Sequence, residues 1–422
     1  MRVAVLGAGI TGITTAYALL ERDADVTLID RHRYAAMETS YANGGQLSAS
    51  NAEVWNHWST VAKGIAWLLK RDAPLALNPR PSWQKYAWLV EFLTHIRHYR
   101  RNTIATAKLA IEAREHLLGM AERAGVSFDI ERRGILHFYR DAASFNHAVD
   151  VSQMLAEGGL KRRSVSNAEI HSIEPTLTGD FYGGFYTESD FSGDIHRYSR
   201  GLLDAAVAAG LQTRFDSRIE NLRPNGKGVL VEYSNGRGDR QAEAFDAVVV
   251  CAGVGSRELA GQLGDRLPIY PVKGYSITVN LDSDVARRAA PRVSLLDDAT
   301  KIVSSRLGDD RFRIAGTAEL NGYNRDIRAD RVEPLVNWVR QLFPGVGTDR
   351  VIPWAGLRPM MPNMLPRVGA GKHPGVYYNT GHGHLGWTLA GATAVAIADA
   401  VKPARQPAMT PLADAGAVAA TG

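Results

Sequence analysis

The strongest constraint on this chain is a glycine-rich turn near its N-terminus, between a short apolar run and a helical pattern. Residues 3–6 (Val-Ala-Val-Leu) predict a buried strand, and residues 7–12 (Gly-Ala-Gly-Ile-Thr-Gly) form a G-x-G-x-x-G sequence. A helix is predicted over residues 13–22, and a second strand over residues 26–29, ending at Asp30. This order of elements is typical of the βαβ unit that binds dinucleotides.

Each glycine of the turn has a steric role. Gly7 permits the tight turn, Gly9 lets a pyrophosphate approach the backbone, and Gly12 lets the helix pack closely on the strand. The free N–H groups at the helix N-terminus attract phosphates. Asp30 is placed to accept hydrogen bonds from the adenosine ribose hydroxyls, which favours FAD or NAD over NADP. The alternative is a tight turn that binds no ligand.

Two later segments extend this unit. Residues 245–253 predict a buried strand that ends in a glycine turn and joins the same parallel sheet. Residues 376–379 lead into a second G-x-G-x-x-G at 381–386, which precedes an apolar helix over residues 388–401. Because too little chain follows for a second nucleotide-binding unit, we interpret it as another helix N-terminus beside the same cofactor. A glycine-rich helix start without a ligand is the alternative.

These motifs form part of a wider pattern. The sequence resembles the FAD-dependent D-amino-acid oxidase/glycine oxidase family, and within it the branch of D-amino-acid dehydrogenases. The matching segments span almost the whole chain: VAVLGAGITGITTAYAL (3–19), ANGGQLSAS (42–50), VVVCAG (248–253), PVKGYS (271–276), WAGLRPMMPNMLPRVG (354–369) and GHGHLGWTLAGA (381–392).

The patterns and the resemblance together predict an α/β fold: a Rossmann-type FAD-binding domain with an interleaved α+β substrate domain containing an antiparallel sheet. The expected FAD-binding domain comprises residues 1–50, 196–266 and 350–402, and the substrate domain residues 51–195 and 267–349. A Trp-rich helical arm is expected near 55–100, and a flexible tail over 403–422. The β-type runs that indicate the antiparallel sheet lie at 128–130, 134–139, 270–280 and 311–316.

The resemblance implies FAD, contacted by residues from several parts of the chain. The predicted FAD-binding residues are Gly7, Ala8, Gly9, Ile10, Thr11, Gly12, Asp30, Arg31, Asn43, Gly44, Gly45, Gln46, Leu47, Ile219, Ala252, Gly253, Gly383, His384, Leu385, Gly386, Trp387 and Thr388. Cys251 is the only cysteine and ends a presumed buried strand, so we expect no covalent link to flavin. One cysteine also excludes a multi-cysteine metal site, and no metal is predicted.

Four residues are candidates for the substrate side of the site. Arg358, in a Gly-Leu-Arg-Pro sequence, matches the arginine that binds the substrate carboxylate in the family, and a planar guanidinium suits that role. An arginine paired with an acid in a turn is the alternative. His384, Tyr275 and Lys301 are candidates for tuning the site or contacting substrate. The alternatives are a structural loop histidine, a packed aromatic and a solvated lysine.

The resemblance implies oxidative deamination of D-amino acids to 2-oxo acids and ammonia. Hydride would pass from the substrate Cα to flavin N5 without a general base, and the electrons would go to a quinone-type acceptor. The alternatives are a dehydrogenase of a cyclic D-imino acid (D-proline or hydroxy-D-proline), a glycine or sarcosine oxidase, and, in another class, a non-catalytic flavin-binding subunit. The net charge is only +5, so no nucleic-acid partner is expected.

A cluster of tryptophans raises the question of a membrane. Five of the eight tryptophans lie between residues 55 and 88, and a basic stretch follows at 95–101. Aromatic residues beside basic ones are typical of membrane-surface patches. The alternative is an arm that packs on the core or on a second subunit. We expect a cytoplasmic protein, and peripheral contact with the inner face of the cytoplasmic membrane stays open.

Overall fold

The computed structural model describes residues 1–67 and 74–401, so the predicted tail at 403–422 lies outside the described residues. The described residues form twenty strands and eleven α-helices. The strands are β1 (Arg2–Leu6), β2 (Asp25–Ile29), β3 (Gln46–Leu47), β4 (Leu75–Leu77), β5 (Ile135–Tyr139), β6 (Arg163–Val165), β7 (Gly183–Thr187), β8 (Phe191–Ser192), β9 (Gln212–Arg214), β10 (Ser217–Asn225), β11 (Gly228–Asn235), β12 (Arg240–Phe245), β13 (Ala247–Val250), β14 (Tyr270–Asn280), β15 (Ser294–Asp297), β16 (Ile302–Leu307), β17 (Arg311–Leu320), β18 (Val351–Met360), β19 (Arg367–Ala370) and β20 (Val376–Thr380). The helices are α1 (Ile10–Leu20), α2 (Trp58–Trp67), α3 (Trp83–Thr94), α4 (Tyr99–Arg123), α5 (Ala142–Glu157), α6 (Asn167–Ile173), α7 (Ile195–Ala208), α8 (Ser256–Gln262), α9 (Asp284–Ala289), α10 (Ala329–Leu342) and α11 (Gly386–Val401).

The first sheet gathers strands from both ends of the chain. Its order is β19-β20-β13-β1-β2-β9, and every pair is parallel except β19 with β20. Val3 of β1 is opposite Val26 on one side and Ala247 on the other. The prediction that the strand near residue 248 returns to the N-terminal sheet is therefore confirmed.

Strand β1 is apolar on both faces because both faces of this sheet are covered. Val3 and Val5 belong to a core formed with helices α1, α7 and α11. Ala4 and Leu6 face the opposite way, into a core shared with the three-stranded sheet β10-β11-β12 and helix α8. The alternation along one strand thus places layers on both sides of the nucleotide-binding sheet.

A second, mainly antiparallel sheet forms the other half of the molecule. Its order is β18-β14-β17-β16-β15-β5-β7-β6, with β4 paired to β17. The strands predicted at 134–139, 270–280 and 311–316 are all in it. The run at 128–130 was wrongly predicted as a strand: Asp129 has a φ of 51°, and its carboxylate binds Arg197 and Arg311. These contacts hold the segment in an irregular conformation.

The predicted domain boundary near residue 350 needs one correction. Strand β18 pairs with β14 along its length, and Val272 is opposite Arg358. Residues 351–360 therefore belong to the second sheet, although residues 350–402 were assigned to the FAD-binding domain. The reason is long-range pairing with β14, which the local sequence does not specify. The rest of the predicted division stays a prediction.

The Trp-rich arm comprises α2, β4 and α3. Trp88 and Phe92 of α3 pack in a cluster with Tyr270 and Met360, and the Trp88 indole N–H donates to the Met360 carbonyl at 2.9 Å. Trp83 lies on the outer side of the helix and is 85% exposed. Across residues 1–67 and 74–401, the structure contains no helix long and apolar enough to cross a membrane.

Candidate functional site

Two adjoining cavities lie between the sheets. One, of about 300 Å³, is lined by the glycine turn, Asp30 and the end of β13, and the other, of about 350 Å³, is lined by residues of both sheets and of α11. The two cavities share five of their lining residues: Ile10, Thr39, Ser40, Gly383 and Gly386. The cavities therefore adjoin, and residues of the N-terminal and C-terminal glycine loops line both of them.

The three glycines of the first loop do different work. Gly7 has a φ of +111°, and a Cβ there would lie 2.7 Å from the Cys251 carbonyl oxygen. A Cβ on Gly12 would lie 1.8 Å from the Gly7 carbonyl oxygen. Gly9 has no such conflict: its nearest neighbour would be the Ser40 hydroxyl at 3.6 Å, and it lines the smaller cavity. Gly7 and Gly12 thus serve the packing, and Gly9 leaves bare backbone toward a ligand.

Asp30 holds the loop in place. One carboxylate oxygen accepts the Ala8 N–H at 2.6 Å, and the other accepts the His32 N–H at 2.8 Å. Asp30 and Arg31 both line the smaller cavity. Ala8 and Gly12, also predicted to bind FAD, are not among its lining residues.

Ser40 and Glu38 are functional candidates that sequence reasoning missed. The Ser40 hydroxyl accepts the N–H of Ile10 at 3.0 Å, at the start of α1. Glu38 binds Arg31, His32 and Arg325. Burial opposes ionisation of Glu38, but these partners hold its pKa at about 2. Both residues line the smaller cavity, and neither belongs to a recognisable motif.

Other predicted cofactor residues fall into two groups. Ile219, Ala252 and Gly253 line the smaller cavity. The predicted residues that line the larger cavity are Asn43, Gly44, Gln46 and residues 383–388. Gly45 and Leu47 are not lining residues of either described cavity, and Leu47 packs in the core. Close packing explains why a glycine stands at position 44, because a Cβ there would lie 2.6 Å from the Val303 side chain.

Arg358 presents a guanidinium to the larger cavity with little of its hydrogen-bonding capacity used. Nη1 donates to the Thr317 carbonyl at 2.9 Å, and Arg358 has no carboxylate partner in residues 1–67 and 74–401. Burial lowers its pKa to about 10, so it stays charged at neutral pH. An enclosed charge without a partner is costly. This arrangement suits an anionic ligand group.

His384 and Trp387 add unsatisfied polar groups to the same cavity. The His384 ring stacks on Trp55 with 4.8 Å between centroids, and neither ring nitrogen makes a well-formed hydrogen bond with a described residue. Burial, together with the Arg358 charge, lowers the His384 pKa to about 4, so the ring is neutral. The Trp387 indole N–H is also unpaired within the described residues. Both residues line the larger cavity, and buried polar atoms without partners are rare in folded proteins.

Lys301 and Tyr275 have partners of their own. The Lys301 ammonium pairs with Asp298, and its side chain is 43% exposed at the cavity. The Tyr275 residue lines the cavity, but its hydroxyl donates to Glu319 at 2.7 Å. Burial and Glu319 raise the Tyr275 pKa, so the phenol is neutral. The polar ends of both side chains are therefore already engaged by acidic partners, unlike the guanidinium of Arg358.

The Cys251 thiol is buried in the core, which disfavours a covalent bond to a cofactor. The thiol packs beside the Thr15 hydroxyl at 3.9 Å. Burial raises the pKa of Cys251 to about 12, which keeps the thiol protonated and unreactive.

A further polar wall of the larger cavity was not predicted. Glu53 accepts hydrogen bonds from the Tyr99 hydroxyl at 2.7 Å and from His147 at 3.0 Å. These partners come from α4 and α5, far along the chain, so no local motif connects them.

Comparison with known proteins places the chain among flavoenzymes. Residues 2–400 match the family model described as FAD dependent oxidoreductase. The chain is 59% identical over 400 residues to D-amino acid dehydrogenase 3 of Mesorhizobium japonicum, covering 95% of this chain and 97% of that one. It is 40% identical over 416 residues to a D-amino acid dehydrogenase of Dechloromonas aromatica, covering 96% and 98%. A glycine oxidase structure from Bacillus cereus has the same fold, with a TM-score of 0.72, 18% identity and 96% of each chain covered.

Proposed function

Because the chain belongs to the FAD dependent oxidoreductase family, we infer that it is an enzyme that oxidises D-amino acids with FAD. The two D-amino acid dehydrogenases that resemble it over nearly their whole length support this substrate class. The structural observation that carries the proposal is the unpaired guanidinium of Arg358 in the cavity beside the second glycine loop. A non-catalytic flavin-binding subunit would have no use for such a carboxylate-binding group.

The lining of the two cavities fits FAD. Bare backbone at Gly9 and the N-terminus of α1 suit the pyrophosphate, and Asp30 suits the ribose. Residues 383–388, with the unpaired Trp387 N–H, suit the flavin end. When bound, FAD supplies the oxidant, because it accepts two electrons and a proton as a hydride. We propose that it binds non-covalently, since the Cys251 thiol is enclosed in the core.

The chain's own residues act by orientation and electrostatics. We propose that Arg358 forms two parallel bonds to the substrate carboxylate and so fixes the direction of the Cα–H bond. The neutral His384 ring, stacked on Trp55, closes the wall without adding a second positive charge next to Arg358. The amine enters unprotonated, so no side chain acts as a general base. Water then hydrolyses the imine product to a 2-oxo acid and ammonia.

We further propose supporting roles for the two weaker candidates. Lys301, at the cavity and paired with Asp298, contributes positive charge to the approach of an anionic substrate. Tyr275 is a positioning residue: its hydroxyl is held by Glu319, and its neighbour Gly274 lies against the Arg358 guanidinium.

We propose a quinone-type electron acceptor, reached at the inner face of the cytoplasmic membrane. Four exposed apolar side chains follow one face of α3: Trp83, Tyr86, Val90 and Leu93. Basic residues follow the helix over 95–101. An apolar helical face next to cationic side chains suits an anionic bilayer. Flotation with anionic vesicles tests this, with Val90→Glu expected to reduce binding and Val285→Glu, an exposed site on α9, as the control. Absence of flotation of the unaltered protein excludes the membrane contact.

The activity itself is tested by anaerobic bleaching of the flavin absorbance. Each D- and L-amino acid is added in turn, together with D-proline, hydroxy-D-proline, glycine and sarcosine. We expect bleaching by D-amino acids and none by their L-enantiomers. A panel without any bleaching D-substrate would contradict the proposed function. Repeating the best substrate with oxygen and with a quinone analogue separates an oxidase from a dehydrogenase.

A further inference from the structure

The larger cavity has a second polar wall that the proposed reaction does not use. Glu53 is among its lining residues and lies two residues after the short helical turn Ala49–Asn51. The Tyr99 hydroxyl and His147 Nε2 both bind the same carboxylate oxygen, Oε1. The other oxygen, Oε2, receives no hydrogen bond from any described residue. The Glu53 side chain is 31% exposed and lines the cavity.

The charge state of Glu53 suits a hydrogen-bond acceptor. Burial alone would raise its pKa, but the hydrogen bonds from His147 and Tyr99 bring the pKa below the usual value. The carboxylate is therefore ionised at neutral pH. One oxygen is held by two donors, which fixes the group, and the other keeps its capacity to accept a hydrogen bond.

Glu53 shares its space with the proposed carboxylate site. Trp55, two residues along the chain, stacks on His384. The His384 pKa is lowered in part by the charge of Arg358, so these two groups are close. The larger cavity is lined by all four of these residues: Glu53, Trp55, His384 and Arg358. A substrate held at Arg358 therefore shares its chamber with the free oxygen of Glu53.

The charges around Glu53 limit what it can recognise. The cations on the cavity wall are Lys63, Arg162, Lys301 and Arg358, whereas the only carboxylates among the described lining residues are Glu53 and Asp298. Asp298 is already paired with Lys301. A cationic side chain would meet this positive excess, and an anionic one would be repelled by Glu53 at close range. An uncharged donor meets neither penalty.

We propose that Glu53 selects substrates whose side chain carries an uncharged hydrogen-bond donor, a hydroxyl group above all. The selection rests on the proposed oxidation of D-amino acids and names the substrate class of that site. The hydroxyl of a D-amino or cyclic D-imino acid donates to Oε2 of Glu53, while the carboxylate binds Arg358. Substrates that lack the hydroxyl leave this charged oxygen without a partner, which is why the site disfavours them.

Pairs of substrates that differ only by a hydroxyl test the proposal. The pairs are D-valine with D-threonine, D-alanine with D-serine, and D-proline with 4-hydroxy-D-proline, and D-lysine and D-glutamate represent charged side chains. We measure kcat/KM with an artificial acceptor for the holoenzyme. The hydroxylated member is expected to exceed its partner about 10-fold or more in at least one pair. D-lysine and D-glutamate are expected to be poorer than that best substrate.

Substitution of Glu53 separates recognition from structural support. Glu53→Gln removes the charge and is expected to lower the favoured pair's ratio about 5- to 10-fold, with flavin content unchanged. Glu122→Gln, at an exposed glutamate of α4 that lines neither cavity, is the control and is expected to leave the ratio unchanged. A merely structural Glu53 would lower both members of a pair equally.

Failure of the role proposed for Glu53 can be distinguished from failure of the proposed oxidation of D-amino acids. Ratios near one in the unaltered enzyme, or a ratio that Glu53→Gln does not change, overturn the role of Glu53 while D-amino-acid oxidation stands. A preference for D-lysine or D-glutamate also overturns it. If no D-substrate is oxidised, the proposed function itself fails. If Glu53→Gln does not fold, Glu53→Asp is measured instead: it keeps the charge but withdraws the carboxylate by one methylene, and an unchanged ratio in that variant also overturns the role of Glu53.

Discussion

The guanidinium of Arg358 lies in the space that a side chain at Gly274 would fill: a Cβ built on Gly274 would be 2.2 Å from Nη2 of Arg358. The two residues are on neighbouring strands, β18 and β14, with Gly274 opposite Gly356. The absence of a side chain on β14 thus permits the arginine to enter the cavity.

Gly274→Ala should therefore weaken substrate binding. The added methyl group displaces the flexible end of Arg358, and we expect the Michaelis constant for the best D-amino acid to rise about 10-fold, the cost of losing one good charged hydrogen bond. Flavin content should not change. Gly261→Ala is the matched control, because a Cβ there would have nothing within 4 Å. Equal kinetics for both variants would show that Arg358 does not need this space.

Removing the guanidinium should act more strongly. We expect Arg358→Leu to raise the Michaelis constant about 100- to 1000-fold, since truncating an enclosed charge partner typically costs about 2–5 kcal/mol of binding. Arg358→Lys keeps the charge but loses the planar fork, and an intermediate value is expected. Steady-state kinetics and the ratio of flavin to protein provide the measurement. Unchanged kinetics in the leucine variant would remove the carboxylate assignment.

The two kinds of glycine in the first loop should fail in different ways. Gly12→Ala forces a contact with the Gly7 carbonyl, so the βαβ unit itself is strained and the thermal midpoint falls. Gly9→Ala has room within the protein, so the fold should persist while FAD affinity drops. Circular dichroism and flavin titration distinguish these outcomes. Full FAD affinity in Gly9→Ala would mean that the pyrophosphate does not approach this loop.

Glu38 should make stability depend on acidity. Its pKa is about 2 in the folded chain, below the ordinary value of 4.5, so its contribution is complete above pH 4.5 and is lost as pH falls toward 2. We expect Glu38→Gln to lower the free energy of unfolding by about 1–3 kcal/mol at pH 7 and progressively less below pH 4.

Urea denaturation of the FAD-saturated protein at several pH values measures the Glu38 effect. Glu122→Gln, an exposed glutamate on α4, is the control. A difference between the Glu38 variant and the unaltered protein that stays constant from pH 7 to pH 3 would contradict an ionised Glu38 held by its arginine partners.

Local constraints made the nucleotide-binding part predictable. The contact of Gly12 with Gly7 and the pairing of the strand ending at Asp30 with β1 both lie within one βαβ unit, so their sequence pattern is compact. Arg358 was found by resemblance, and its open hydrogen-bonding capacity became visible only in the structure.

The rest depends on distant pairing. Glu53 is separated from Tyr99 by 46 residues and from His147 by 94, and no periodic pattern links such positions. For the same reason the pairing of residues 351–360 with β14 was not predicted, because the two strands are remote in sequence. At 128–130 the β-type composition was overridden by ion pairs of Asp129 with arginines from other elements.

The sheet order β20-β13-β1 has a consequence for synthesis on the ribosome. The N-terminal glycine loop emerges first, but β13 and β20, which extend its sheet, are made much later, and α1 packs against the last helix, α11. The nascent chain must therefore keep the apolar face of α1 covered by other means until α11 has been made. The candidate cofactor cavity, which the loop before α11 also lines, is accordingly completed only after that helix has emerged.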